Sequence, residues 1–384
     1  MKSTKLIALG LTVLAAIALP ASAQDISGRF EGEVSVNEVL LDVVVTDQGG
    51  NVILGLGPTD FIVEEEGGPV EVTSSTFYSN RNFVEAADLA NRLGINPEDV
   101  PVDRYFILFF HDQRRLLPSL TAKYMDVTRR VEKWIFQELL PNDWVAVVRY
   151  DAKLMVHTDF TTDNERIKKA VREAARGKNP PDTWPSRIEE QASKGPSLLA
   201  SLPQGRELMR QTKRIYSAME VLSDAAGAVV GRKNLLFFSM GFGELNSFGT
   251  WLPDERYYDD MMYSLNDNNL AVYSISVFES MAAQSAVFGN RGEQSLGALQ
   301  NAAIGTMENG MSLLSDDTGG RYFFNFLNFE TPLSQVLDEN NGYYLLSYRS
   351  RTPLGSSGYR EVDVKAKNPD FKVKARQGYR FGTG

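Results

Sequence analysis

The stretch that decides the fold is Tyr105-Phe-Ile-Leu-Phe-Phe110, which runs directly into His111 and Asp112. Six consecutive apolar or aromatic residues predict a strand that is buried on both faces, as in a parallel sheet covered by helices. An acidic residue just past such a strand lies where open α/β sheets place their ligand sites. Asp112 is therefore the first candidate for a site residue.

Strand and helix patterns alternate along the chain from residue 104 to about 340. This alternation predicts a doubly wound, mostly parallel sheet with helices on both faces. Only the short turn Asp151-Ala152 separates the second and third strands, so they are predicted to form an antiparallel hairpin. The predicted strands are 105–110, 144–150, 153–158, 234–239, 270–277 and 321–324. The predicted helices are 119–139 with Ser119 as N-cap, 163–176, 206–227, 254–268, 297–317 and 331–340.

The two ends of the mature chain carry β patterns instead. Neither end alone has enough strands for a stable sandwich, whereas the two together do. We therefore predict a discontinuous β-sandwich-like domain with an α/β domain of the Rossmann-like kind inserted into it. The predicted division is a signal peptide at 1–23, β segments at 24–80 and 342–384, a connector at 81–103, and the α/β domain at 104–341 with a proline-rich irregular insertion at 178–205.

The first residues have the composition of a secretory signal. A start with two lysines is followed by an apolar stretch from Leu6 to Leu19 and by the small residues Ala21-Ser-Ala23. This order predicts a cleaved signal, with a retained anchor as the alternative. The apolar stretch is shorter than the roughly 20 residues that a spanning helix needs. We expect an exported protein, periplasmic or extracellular, with no membrane span after cleavage.

Composition excludes several classes of function. The chain has no cysteine, so disulfides, thiolate metal sites and thiol nucleophiles are excluded. Its 40 basic and 49 acidic residues give a net charge of −9, which argues against nucleic-acid binding.

Hydrolase and nucleotide-binding motifs are incomplete. Ser239 in Phe237-Phe-Ser-Met-Gly241 lacks the glycine two residues before it that a nucleophile elbow needs. The only histidines, His111 and His157, precede Ser239, which excludes a triad in the order of that fold. The GxGxxG-like run at 241–246 ends in Asn instead of Gly. We therefore expect a protein that is not an enzyme.

Six short motifs lie in order along the mature chain. They are Leu41-Asp-Val-Val-Val-Thr-Asp-Gln-Gly-Gly50, Phe61-Ile-Val-Glu-Glu-Glu66, Arg104-Tyr-Phe-Ile-Leu-Phe-Phe110, Asp317-Thr-Gly-Gly-Arg321, Gly342-Tyr-Tyr-Leu-Leu-Ser-Tyr348 and Ala375-Arg-Gln-Gly-Tyr379. In this order and spacing the chain resembles von Willebrand factor type A (VWA) domains, in particular the VWFA-related proteins of acidobacterial type. The resemblance implies a VWA-like α/β fold.

The resemblance also implies where a divalent cation would bind. Domains of this family typically hold one at Asp-x-Ser-x-Ser after the first strand, with a Thr and an Asp from later loops. Asp112 matches the first position, but the two hydroxyl positions read Arg114 and Leu116. The later acidic position falls on Met240, beside Ser239. By this resemblance the remaining ligands are Asp112, Ser239 and the middle-loop candidate Thr183.

Three hypotheses describe this altered site. It could be degenerate and purely structural, or it could hold Mg²⁺ or Ca²⁺ weakly. It could also use Arg114 in place of the metal, because a guanidinium fork suits the carboxylate of Asp112 and could receive an acidic group of a partner.

The predicted function is protein–protein recognition through the loops at 111–118, 178–205 and 240–253. The aromatic residues of the last loop, Phe242, Phe248 and Trp251, are expected to be exposed there, with packing under the loop as the alternative for half of them. Clustered exposed aromatics mark interaction sites. The alternatives are an enzyme or small-ligand binder in the same crevice and an architectural component of the cell envelope. The candidate partner-binding residues are Arg114, Phe242, Glu244, Phe248 and Trp251.

Overall fold

Sixteen strands and seven α-helices form the part of the protein that the computed structural model describes, together with a 3-10 turn at Pro58–Asp60. The described residues are 38–79, 103–116, 118, 120–180, 195–245, 251–277, 310–324, 326, 328–350 and 357–381. Several predictions fall outside these ranges: the signal peptide, most of the connector, Ser119, Thr183 with most of the insertion, Phe248 and the first part of the helix predicted at 297–317.

The bounds of the elements follow the predicted pattern closely. The strands are β1 (Glu38–Thr46), β2 (Phe61–Glu65), β3 (Gly68–Val70), β4 (Val72–Ser79), β5 (Arg104–His111), β6 (Asp143–Tyr150), β7 (Leu154–Thr161), β8 (Lys233–Ser239), β9 (Glu244–Leu245), β10 (Trp251–Leu252), β11 (Leu270–Ser276), β12 (Arg321–Phe323), β13 (Gly342–Arg349), β14 (Gly358–Ala366), β15 (Lys372–Ala375) and β16 (Gly378–Phe381). The helices are α1 (Leu120–Gln137), α2 (Asn164–Ala175), α3 (Gly205–Gln211), α4 (Ile215–Ala226), α5 (Glu255–Asp267), α6 (Gly310–Asp317) and α7 (Glu330–Glu339).

Six of the strands form one sheet in the order β12-β11-β8-β5-β6-β7. Neighbouring strands are parallel except β7, which is antiparallel to β6, as predicted for this hairpin. Helices α1, α2 and α7 pack on one face, and α3 to α6 pack on the other. Phe106 contacts Trp134 on the first face, and Phe109 contacts Phe237 on the second. The predicted doubly wound sheet is therefore confirmed.

Strands from the two ends of the chain share two antiparallel sheets, in the orders β15-β1-β13-β4 and β16-β14-β2-β3. Leu41 and Phe61 from the N-terminal segment pack with Tyr344, Leu346 and Val364 from the C-terminal segment. These two sheets confirm the β-sandwich-like part of the predicted fold class. Among the described helices, none is long and apolar enough to cross a membrane.

One predicted helix is wrong: 206–227 is two helices, α3 and α4. The break comes at Thr212, whose side chain is fully buried. Its hydroxyl donates to the carbonyl of Leu208 at 2.7 Å and accepts from the backbone N–H of Leu154 at 3.0 Å. This tertiary contact with the start of β7 has no signature in the local sequence, which is why the helical pattern appears continuous.

Lys233, at the start of β8, supplies a test of pH-dependent stability. Its Nζ donates to the carbonyl of Val229 at 2.9 Å. Burial lowers the pKa of Lys233 from 10.5 to about 8, although the negative charge of Asp42 acts to raise it. The unfolded chain therefore holds this proton over a pH range in which the folded protein has lost it, so stability rises with pH across that range. Between pH 8 and 10.5, we expect the free energy of unfolding of the wild type to rise by about 3 kcal/mol relative to Lys233→Met.

Urea unfolding of both proteins across this range measures the difference. The Lys233→Met variant is its own control, since all other titrating groups are shared. If the free energy of unfolding changed with pH in the same way in both proteins, the lowered pKa of Lys233 would be contradicted.

Candidate functional site

The candidate site lies where the strand order of the central sheet reverses. The chain proceeds from β5 to β6 and β7 on one side, and from β8 to β11 and β12 on the other. In open α/β sheets, ligands bind outside the carboxyl ends of the strands at such a point. Asp112 follows β5, and Ser239 ends β8. The structure thus brings these two predicted residues to one edge of the sheet.

Asp112 is bound by two guanidinium groups. Arg114 donates from Nε to Oδ1 at 2.7 Å and from a terminal nitrogen to Oδ2, and Arg149 donates to Oδ2 at 2.9 Å. Burial by itself would raise the pKa of Asp112, but the hydrogen bonds and charge of Arg114, with the charge of Arg149, hold it below its usual value. The Asp112–Arg114 pair proposed from the sequence is present, and its carboxylate is ionised.

Arg149 is the residue that sequence reasoning missed. Its side chain is 2% exposed, and it also donates to Oδ1 of Asn179 at 2.9 Å. It reaches Asp112 because β5 and β6 pair with Phe110 opposite Arg149. The available signal was an arginine near the carboxyl end of β6, after the apolar run 144–148 and beside the strand that Asp112 follows.

Arg114 also connects the site to α2. Its NH1 donates to the carbonyl of Ala175 at 3.1 Å, and its guanidinium lies 5.8 Å from the ring centroid of Tyr124. Gly177 leaves room for it: φ there is +69°, and a Cβ would lie 1.9 Å from an Arg114 nitrogen. The Arg114 side chain is therefore directed mostly into the protein, with 17% of it exposed.

Ser239 is fully buried and its hydroxyl is engaged within the protein. Its Oγ lies 2.9 Å from Nδ1 of His111, 3.1 Å from Oε1 of Gln113 and 2.7 Å from the carbonyl of Gly241. Burial lowers the pKa of His111 to about 4, so its ring is neutral. The hydroxyl therefore joins the turn after β8, through Gly241, to the end of β5, through His111 and Gln113.

The loop after β8 differs from its predicted form. Phe242 was expected to be exposed, and this is wrong: it is fully buried, with its ring 5.1 Å from that of Tyr216. The ring fills the space beneath the loop, where an apolar side chain gains most from leaving water. Trp251 is half-buried over Gly241, where a Cβ would lie 2.4 Å from the indole. Glu244 is exposed, as a partner-binding residue would need to be.

Two exposed residues of the loop after β5 complete this edge. The Arg115 side chain is 74% exposed, with Nε 3.2 Å from the carboxylate of Asp151. Asp151 also lies 3.6 Å from Arg149. Leu116 is 61% exposed. We call the group of Arg114, Arg115, Arg149, Asp112 and Asp151 the arginine cluster; its three cations and two anions leave one positive charge in excess.

The described residues at this edge do not fit a divalent cation. Mg²⁺ and Ca²⁺ need several oxygen ligands with free lone pairs, whereas guanidinium donors engage both oxygens of Asp112. In the described ranges, no three His, Cys, Asp or Glu side chains come together in a way that could hold a metal ion.

Comparison of the sequence with protein-family models and with curated proteins gives no match. Solved structures do match. Proximal thread matrix protein 1 from the mussel byssus is 12% identical with a TM-score of 0.33, and the match covers 62% of this chain and 48% of that one. BatB, a conserved hypothetical protein from Bacteroides thetaiotaomicron, is 12% identical with a TM-score of 0.31 over 62% and 96%.

A von Willebrand factor type A protein from Catenulispora acidiphila is 8% identical with a TM-score of 0.34, over 90% of this chain and 74% of that one. The chain spans about half the length of the mussel protein that it matches. Such values concern the fold alone, and no residue's role follows from them. A protein of von Willebrand factor type A, the type of domain that the motifs resemble, is among the structural matches.

Proposed function

We propose that this protein is an exported recognition protein that binds an acidic group of a protein partner at the arginine cluster, without a divalent cation and without catalysis. The observation that carries the proposal is the carboxylate of Asp112 held by both Arg114 and Arg149. The positive charge that a metal ion would bring to this edge is supplied by side chains of the protein itself.

The charge and exposure of the edge favour an acidic partner. The cluster has one positive charge in excess, on a chain whose net charge is −9. Arg115 carries that charge outward on a side chain that is 74% exposed. A guanidinium can bind a carboxylate through two parallel hydrogen bonds, which gives direction as well as attraction. Leu116, next to it, offers apolar surface to the same partner.

The buried polar groups of the edge support a function without catalysis. Ser239 and His111 form a close pair, yet the serine has no exposed surface and its hydroxyl is bound to Gln113 and Gly241. A nucleophile must reach its substrate and have a base free to take its proton. This pair stabilises the turn after β8 instead.

A short polyglutamate peptide is the probe for the test. We expect it to bind the mature protein at low ionic strength, with the same affinity in EDTA and in Mg²⁺. Arg115→Gln should weaken binding by roughly threefold to tenfold, as expected for an exposed charge at the rim of an interface. Isothermal titration calorimetry measures the affinity in each case.

The matched control is Arg129→Gln, because Arg129 is also 74% exposed and also pairs with an aspartate, Asp126, but lies on α1. Equal losses of affinity in the two variants would mean that only the net charge of the protein matters, and this would contradict the proposal. Binding that requires Mg²⁺ and is abolished in Asp112→Ala would contradict it as well, in favour of a cation site.

A further inference from the structure

A cavity of about 440 Å³ lies at the amino end of β12, whereas Asp112 lies at the carboxyl end of β5. Arg321 begins β12, and Asp338 and Glu339 end α7, so this wall is built from the starts of strands and the end of a helix. The other wall is the segment from Gly49 to Leu54, which follows β1. The volume falls within the roughly 300–1,000 Å³ of small-molecule sites. This cavity is therefore separate from the arginine cluster.

The wall formed by residues 49–54 is held in position. The carboxylate of Asp47 accepts from the backbone N–H and from Nδ2 of Asn51, both at 2.8 Å. The Tyr344 hydroxyl donates to the carbonyl of Ile53 at 2.9 Å and accepts from the N–H of Leu56 at 3.1 Å. A preformed wall loses little conformational entropy when a ligand binds.

The opposite wall presents both signs of charge. Glu339 is almost fully buried, and its carboxylate lies 2.8 Å from Arg321 and 2.5 Å from Lys374. Two cations thus neutralise this one carboxylate, and the Arg321 side chain, 26% exposed, has donors left for a further anion. Asp338 adds a second carboxylate to the lining, with Nδ2 of Asn341 3.4 Å away.

Apolar side chains complete the lining at Val52, Leu54 and Phe77. An anion alone would be repelled by the carboxylate of Asp338, and a cation alone would be repelled by the guanidinium of Arg321. A molecule that carries both charges and an apolar group matches all three features. Water would satisfy the polar wall but would leave the apolar wall unfavourably hydrated.

We propose that this cavity binds a small zwitterion of dipeptide size. Its carboxylate pairs with Arg321, its ammonium group pairs with Asp338, and its apolar side chain packs on Val52, Leu54 and Phe77. The inference is independent of the proposed recognition of a protein partner, because it uses none of the residues of the arginine cluster.

The probe is the dipeptide alanyl-phenylalanine, added to the mature full-length protein in isothermal titration. We expect saturable binding that is weakened about tenfold by acetylation of the amino group, and likewise by amidation of the carboxyl group, since each removes one charge-assisted contact. Asp338→Asn should weaken the free dipeptide about tenfold and leave the acetylated form unchanged. Arg321→Gln should likewise weaken binding of the free dipeptide about tenfold and leave the affinity of the amidated form unchanged.

The matched control is Asp363→Asn, a change at an exposed carboxylate on β14 that does not line the cavity. It should leave binding unchanged. Arg321→Gln could disturb the fold, because Arg321 pairs with Glu339. The capped dipeptides test the same contact on the wild-type protein. Equal affinity of free and doubly capped dipeptides, or no saturable binding of the free dipeptide, would overturn the proposal.

Discussion

Asp112→Ala should lower the free energy of unfolding by about 3 kcal/mol, although the residue stands in a loop. The change removes the carboxylate that pairs with Arg149, whose side chain is 2% exposed, and with Arg114. A buried guanidinium left without its partner keeps the cost of desolvation and loses the compensating attraction. In a cation site emptied of its metal, loss of an acidic ligand would relieve repulsion and would be neutral or stabilising. The sign of the effect therefore separates the two hypotheses.

Urea unfolding of the wild type and the variant measures this effect. The double variant Asp112→Ala/Arg149→Met should recover much of the loss, because an apolar side chain of similar length replaces the unpaired cation. Asp126→Ala is the matched control: its carboxylate lies 2.7 Å from exposed Arg129 and should contribute less than about 1 kcal/mol. A stabilised Asp112→Ala variant would contradict the arginine cluster as the source of charge at this edge.

Arg104→Met should cost about 3–5 kcal/mol, the largest effect that we expect from a single substitution. Arg104 binds Asp143 through two hydrogen bonds, from Nε at 2.7 Å and from NH2 at 2.6 Å. The two side chains are 3% and 0% exposed. Arg104 also donates to Oδ1 of Asn341 at 3.2 Å. Its loss leaves a buried carboxylate at the start of β6 with the N–H of Leu140 as its remaining donor among the described contacts.

Thermal and urea unfolding of Arg104→Met give the size of this loss. The matched control is Arg129→Met on the exposed face of α1, for which we expect a change within about 0.5 kcal/mol. Adding Asp143→Asn to Arg104→Met should restore part of the stability, since an amide is less costly to bury than an unpaired charge. A loss no greater than that of Arg129→Met would show that the buried pair contributes nothing specific.

The central sheet could be predicted from the chain because its strands are distinctive. Residues 105–110 and 235–238 are apolar runs that bury both faces, and such runs leave little choice of structure. The helices around them follow from regular spacing of apolar residues. Prediction failed at Thr212, where a buried hydroxyl binds the start of another strand. That contact joins residues 58 positions apart, so no local window contains it.

The candidate site was predicted less completely. Asp112 and its pairing with Arg114 could be inferred because the two residues are neighbours in one loop. Arg149 could not, since it lies 37 positions away and reaches Asp112 only through the pairing of β5 with β6. Phe242 was placed wrongly because the sequence of a loop does not reveal which of its aromatic residues turns inward.

By itself, the sequence determined the fold class and the position of Asp112 at a strand end. These follow from local composition and periodicity, which act through burial of each element's apolar face. Only the tertiary structure decided that Arg149 completes the cluster, that Phe242 is buried, and that Arg321 and Asp338 line a cavity with residues 49–54. Each of these depends on which distant segments become neighbours, and that is settled by strand pairing and packing.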